Sequence, residues 1–265
     1  MNISVPGKGL AALLIVGLMI GCDAPESNSS GTVGETAGST VVAGEESAAA
    51  SPVEDVPPGA PEAMGRPDPG VAATTAPPTV LFIGTSLTAG LGLPEEQSFP
   101  LLIAGRIEGA GLPFRVVNAG VSGETSAGAL RRIEWLLQQP FDVVVLETGA
   151  NDMLRGTDPG ATEQNIQDII DRIRAADPEA PIILAGMLAM PNLGEPYRQQ
   201  FESIYPRLAE RNDLPLVPFL LEGVAGERGL NLGDGIHPSA EGHRIIAETV
   251  WEVLEPVLSE SDRAR

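Results

Sequence analysis

The chain is poor in the residues that build redox and metal chemistry. It holds one cysteine, Cys22, and two histidines, His237 and His243, among 265 residues. A single thiol excludes an intramolecular disulfide, a cysteine-based metal cluster and an internal redox pair. Two imidazoles exclude a zinc site built from several histidines. Cations are scarce too: 16 Lys and Arg stand against 36 Asp and Glu, for a formal charge of −20. Such a chain does not bind nucleic acid by neutralising phosphates, and an anionic membrane surface repels it. Aromatic residues make up 4% of the chain, with two Trp and two Tyr, so no face rich in rings is available for stacking sugars. A long apolar run is also missing. Leu10 to Ile20 is apolar apart from glycine, but its roughly 11 residues would make a helix of ~16 Å against a bilayer core of ~30 Å.

That short run follows Lys8 and reads as the apolar region of a secretory signal. Met19-Ile20-Gly21-Cys22 comes directly after it and resembles a bacterial lipobox, with the only cysteine where the signal should end. The expectation is a signal peptide over 1–21 and a lipidated Cys22 as the mature amino terminus. The protein would then sit in the bacterial cell envelope, on the periplasmic side, with the lipid as its only membrane attachment. Residues 22–78 are Ser, Gly, Ala, Thr, Pro and Glu without aromatics or periodicity. Such a composition does not bury enough apolar surface to offset its ordering entropy, so a disordered tether is expected. Its roughly 55 residues would reach ~40 Å. Residues 259–265 are expected to be a disordered tail.

Between these, residues 79–258 carry a regular pattern. Val80-Leu81-Phe82-Ile83 runs into Gly84, Thr85 and Ser86, as a doubly buried strand ending in a turn does. Short apolar runs recur at Arg115–Asn118, Phe141–Leu146, Ile182–Leu184 and Leu214–Val217. Helical spacing of apolar residues fills the intervals at 96–108, 125–138, 162–176 and 197–211, and a closing helix is expected over 240–257. Strands alternating with helices imply an α/β domain with a parallel sheet covered on both faces.

Ligands bind at the carboxyl ends of such strands, and Ser86 stands at one. From the residues alone it reads two ways, as a nucleophile or as the N-cap of the helix that follows. Asp234-Gly235-Ile236-His237-Pro238 lies in the loop before the closing helix. A serine hydroxyl needs a base, and the base needs an acid to hold its tautomer. Asp234 can fold back onto His237, but it also suits an Asx-turn, and the D-x-x-H spacing is common. His243, inside the closing helix, reads as structural. An oxyanion formed on the substrate would need donors. The Ser86 N–H, the Gly123 N–H in Val121-Ser122-Gly123 and the Asn151 amide in Gly149-Ala150-Asn151-Asp152 are the candidates.

Taken in order, these motifs resemble the SGNH (GDSL) hydrolases, and the resemblance extends over nearly all of 79–258. It is nearest to the branch of small bacterial thioesterases, lysophospholipases and arylesterases. Gly84-Thr85-Ser86-Leu87 matches the nucleophile block, Asn118 to Gly123 the glycine-donor block, Gly149 to Asp152 the asparagine-donor block, and Asp234 to Pro238 the acid–base block. The stretches Gln200–Ala209 and Pro215–Phe219 look like the same branch. The resemblance implies a three-layer α/β/α fold of about five parallel strands, flavodoxin-like. It implies Ser86, Asp234 and His237 as catalytic residues, with oxyanion donors at Ser86, Gly123 and Asn151. No metal or organic cofactor is implied. One departure stands out: the family usually has Asp where this chain has Thr85.

Met153 and Leu154, and Met190 and Pro191, follow two strands and are candidates for lining an acyl groove. The expected substrate is a small acyl ester, thioester or lysolipid, and the expected state a monomer. Deacetylation of a cell-envelope polysaccharide is the alternative reaction. A non-catalytic anchored binding module is the alternative outside enzymology.

Overall fold

The computed structural model describes residues 76–263. The expected signal peptide, the expected lipidation site Cys22 and nearly all of the expected tether lie outside the described residues. Five strands form one parallel sheet in the order β2-β1-β3-β4-β5. They are β1 (Thr79–Gly84), β2 (Arg115–Gly120), β3 (Val143–Glu147), β4 (Ile182–Ala185) and β5 (Leu216–Val217). The helices are α1 (Ser86–Ala89), α2 (Phe99–Gly109), α3 (Ser126–Leu136), α4 (Ala150–Leu154), α5 (Pro159–Ala176), α6 (Glu195–Glu202), α7 (Ile204–Asn212) and α8 (Ala240–Arg263). The expected three-layer arrangement is present. α2 packs with α8, α3 with α5, and α5 with α6 and α7.

Burial follows from the apolar runs. Every residue of β1 and β3 is buried, which happens only when helices cover both faces. β2 is half-buried and β5 is two residues long, so both behave as edges. β1 aligns Gly84 with Gly120 of β2 and Ile83 with Leu146 of β3. The chain therefore crosses to one side of β1 for β2 and to the other side for β3. At such a reversal the loops diverge, and a crevice opens beyond the carboxyl ends of β1 and β3.

Two expected elements come out differently. The single helix over 197–211 is two helices that break at Ser203. Pro206 has no N–H for the Glu202 carbonyl, and its ring crowds that carbonyl, which favours a break here, although α8 continues through Pro256. In the first turn of α7 the same proline costs little. The Ser203 hydroxyl closes the break by donating to the Gln200 carbonyl at 2.7 Å. The tail expected from 259 is helical instead, since α8 runs to Arg263. Val250, Leu254 and Leu258 repeat at four-residue spacing, and all are fully buried. Their packing fixes the last turns, and Ser259–Arg263, partly to fully exposed, continues a helix already nucleated.

Candidate active site

β1 delivers Ser86 to the rim of the sheet. Gly84 permits this because a Cβ there would sit 1.9 Å from Thr88 Oγ1 and 2.7 Å from Glu147 Oε2. Thr85 caps α1, accepting from the Leu87 N–H at 3.4 Å. Ser86 is therefore the first helical residue, and the N-cap role belongs to its neighbour. The loop before α8 is held from several directions. The Leu232 N–H donates to the His237 carbonyl, Ser239 N–H to the Leu230 carbonyl, and Asn231 Nδ2 to the Val224 and Glu227 carbonyls.

Within this frame His237 Nε2 lies 3.0 Å from Ser86 Oγ, and His237 Nδ1 lies 2.6 Å from Asp234 Oδ2. The serine hydroxyl donates to Nε2, and Nδ1–H donates to the carboxylate. The other oxygen of Asp234 accepts the N–H groups of Ile236 at 2.9 Å and His237 at 3.0 Å. Asp234 thus makes the Asx-turn and orients the imidazole with one carboxylate. The hydrogen bond from His237, then those from the two backbone amides, hold its pKa well below the usual carboxylate range. It is held ionised near neutral pH, as the orienting acid of a triad must be.

The candidate oxyanion donors stand on three adjacent strands. Ser86 follows β1, Gly123 lies three residues past Gly120 of β2, and Asn151 lies four past Glu147 of β3. Gly123 has φ +77°, a region that L side chains rarely adopt, so the turn itself calls for glycine. Among the described residues the Ser86 N–H, the Gly123 N–H and the Asn151 side-chain amide donate to no protein acceptor. Three open donors at the crevice are what a developing oxyanion requires.

Two buried carboxylates support this rim, and sequence reasoning assigned neither a role. Glu147, at the end of β3, is fully buried. It accepts from Thr85 N–H at 2.8 Å, Thr85 Oγ1 at 2.9 Å and Thr88 Oγ1 at 2.8 Å. Burial pushes its pKa up, opposed by these hydrogen bonds from Thr85 and Thr88. A threonine at 85 is chemically suited to this neighbour, because it donates where a second carboxylate would repel. Asp152 is also buried. It accepts from Ser126 N–H at 2.7 Å and Ser126 Oγ at 2.6 Å, tying the start of α3 to α4. A polar residue ending an apolar strand was the only sequence signal for Glu147.

His243 is buried and accepts the Phe99 N–H at 3.1 Å through Nδ1, so it is structural as expected. Desolvation lowers its pKa to about 4. Of the residues expected to line an acyl groove, Met153 belongs to the core at 7% exposure, which corrects that expectation. It lies on the inward side of α4, and Met190 is half-buried against the core. Leu154 and Pro191 are exposed. The rim is nonetheless apolar. Of the large hydrophobic side chains exposed among the described residues, Leu91, Val121, Leu154 and Leu188 follow the first four strands, and Ile236 lies in the catalytic loop. Trp135 is the exception. No group of three or more His, Cys, Asp or Glu among the described residues is placed to hold a metal ion.

A serine, histidine and aspartate at the carboxyl rim of a parallel sheet, with open donors beside the serine, define a serine hydrolase site. Residues 82–245 match the model of the GDSL-like Lipase/Acylhydrolase family, and the chain belongs to that family. It is similar to esterase TesA of Pseudomonas aeruginosa, 40% identical over 181 residues, covering 68% of this chain and 89% of the relative. Thioesterase 1/protease 1/lysophospholipase L1 of Escherichia coli strain K12 is 36% identical over 182 residues, covering 68% and 85%. The structure of the psychrotrophic esterase EstA from Pseudoalteromonas sp., inhibited by monoethylphosphonate, superposes with a TM-score of 0.64. It is 31% identical, and the match covers 68% of this chain and 98% of that one.

Proposed function

We propose that the protein is a serine esterase that cleaves acyl esters and thioesters through an acyl-serine intermediate. The observation that carries this reading is the continuous hydrogen-bonded path from Ser86 Oγ through His237 to Asp234. His237 Nε2 takes the hydroxyl proton as Ser86 Oγ bonds to the carbonyl carbon. The oxyanion is received by the donors at Ser86, Gly123 and Asn151. Its collapse breaks the bond to the leaving oxygen or sulfur, which His237 protonates. Water, deprotonated by His237, then attacks the acyl-serine and releases the carboxylic acid. The names of the relatives, esterase and thioesterase among them, support the same chemistry.

An acyl chain of short to medium length, lying along the apolar rim, is the substrate we propose. The protein would be held on the periplasmic side of a bacterial envelope membrane through Cys22, on the strength of the lipobox-like sequence. A fluorophosphonate probe tests the nucleophile. Wild-type protein should be labelled and should hydrolyse a p-nitrophenyl acyl ester, and Ser86→Ala should do neither. Equal labelling of folded Ser86→Ala protein would overturn the assignment. Loss of membrane partition in Cys22→Ser cells would support the anchor, and unchanged partition would refute it.

A further inference from the structure

An open depression of about 490 Å³ is bordered by Val121, Gly123, Glu124, Arg131, Arg132 and Arg155, and so reaches one of the candidate oxyanion donors, Gly123. Its wall is cationic in a chain whose formal charge is −20. Arg132 is neutralised, since it grips Glu124 through Nε at 2.7 Å and Nη2 at 2.6 Å. Arg131 is not. Its side chain has no hydrogen bond or ion pair among the described residues. Arg155 has no carboxylate partner either. Its Nη2 donates to the Gly123 carbonyl at 2.8 Å, which turns the guanidinium toward the depression and against one oxyanion donor. Most arginines of the described chain pair with carboxylates, as Arg106, Arg172, Arg198, Arg207, Arg211 and Arg244 do. Arg115, Arg174, Arg228 and Arg263 also lack a carboxylate partner among the described residues, but only Arg131 and Arg155 do so on the wall of this depression.

We infer that Arg131 and Arg155 form an anion subsite that takes the phosphate of a phosphate-bearing acyl ester or thioester. Guanidinium groups suit phosphate oxygens through charge-assisted hydrogen bonds. Two of them match a group carrying up to two negative charges. The rest of the molecule repels such a substrate, so this wall is where it can approach. The apolar Val121 at one border and Leu154 beside Arg155 would receive the start of the acyl chain. This inference rests on the esterase reading and adds to it the part of the substrate that the triad does not touch.

The test compares substrates that differ only in phosphate. One arm pairs 1-acylglycerol 3-phosphate with the monoacylglycerol of the same chain. The other pairs the acyl thioester of 4′-phosphopantetheine with the acyl thioester of pantetheine. The wild-type enzyme should prefer the phosphate-bearing member of at least one pair in kcat/KM. The arm that shows it identifies a lipid headgroup or a coenzyme as the source. In Arg131→Gln/Arg155→Gln that preference should fall by about tenfold through KM, and Arg131→Lys should retain more of it than Arg131→Gln. An unchanged preference in the double variant, or none in the wild type, overturns the subsite. Calorimetry on Ser86→Ala protein separates binding from turnover. If the wild type cleaves no substrate while Ser86→Ala still binds 1-acylglycerol 3-phosphate through the two arginines, the esterase reading fails and the subsite stands. If cleavage is intact and binding ignores the arginines, the subsite alone fails.

Discussion

Ser86 Oγ has one hydrogen-bond partner among the described residues, the imidazole of His237. Its reactivity is set by that contact and by how firmly Thr85 and Glu147 hold the turn beneath it. Thr85→Val removes a donor from a buried carboxylate and the cap from α1. It should destabilise the protein by about 1–3 kcal/mol and lower kcat. Melting temperature and ester turnover check this, and a variant with both unchanged would show that the network is incidental. Asn151 acts at the other end of the reaction. Asn151→Ala should reduce kcat by ~10²–10³ with KM little altered, the usual cost of one oxyanion donor. A change confined to KM would mean that Asn151 binds ground-state substrate instead. Asp234 presents the opposite case to a titrating catalyst. Because its carboxyl is held below the usual range, loss of activity in mild acid reports protonation elsewhere in the site.

Helix ends and helix breaks decide what the loops present. Pro206 splits the segment after β4 into α6 and α7, and Tyr205 at the start of α7 donates to the Thr148 carbonyl at 2.8 Å. That contact steadies the turn between β3 and α4, and so the base of Asn151. At the carboxyl end, Leu258 is fully buried. Leu258→Ala should cost about 2–5 kcal/mol, the range for a core leucine that leaves a cavity. Thermal or denaturant unfolding measures it. Deleting the chain from Ser259 onward, which contributes no fully buried side chain, should cost far less. Periodicity reached each of these helices, but their ends were misread. The amphipathic spacing over 197–211 runs through Pro206, and the charged stretch after Leu258 carries no apolar period of its own. Local composition does not say whether a helix is already anchored by packing.

Across the whole molecule, stability should depend on a histidine remote from the chemistry. His243 joins α8 to the start of α2 and stays neutral when folded, with a pKa lowered from 6.5 to about 4. Unfolding restores the ordinary value, so between these two pH values the unfolded chain binds the extra proton. The stabilisation is fully present above about 6.5 and is lost as pH falls toward about 4. The loss is on the order of 3 kcal/mol. Melting temperature should therefore drop over this window, and His243→Asn should flatten the slope. An identical slope in the variant would assign the acid lability to other groups.

Apolar runs bounded by glycine, helical spacing and the one serine, one aspartate and one histidine in suitable turns were all readable from the chain. These are local properties, and strands buried on both faces write them plainly as unbroken Val, Ile and Leu. Convergence was not local. Ser86 and His237 are 151 residues apart, and spacing alone left Asp234 as a turn former or a triad member, where the fold makes it both. Glu147, the buried carboxylate under Thr85, gained its meaning only once β1 and β3 lay side by side. Desolvation and the donors that answer it come from neighbours across the sheet. The same holds for Arg131 and Arg155, which are ordinary surface cations along the chain and become one wall when α3 and α4 are brought to the same rim.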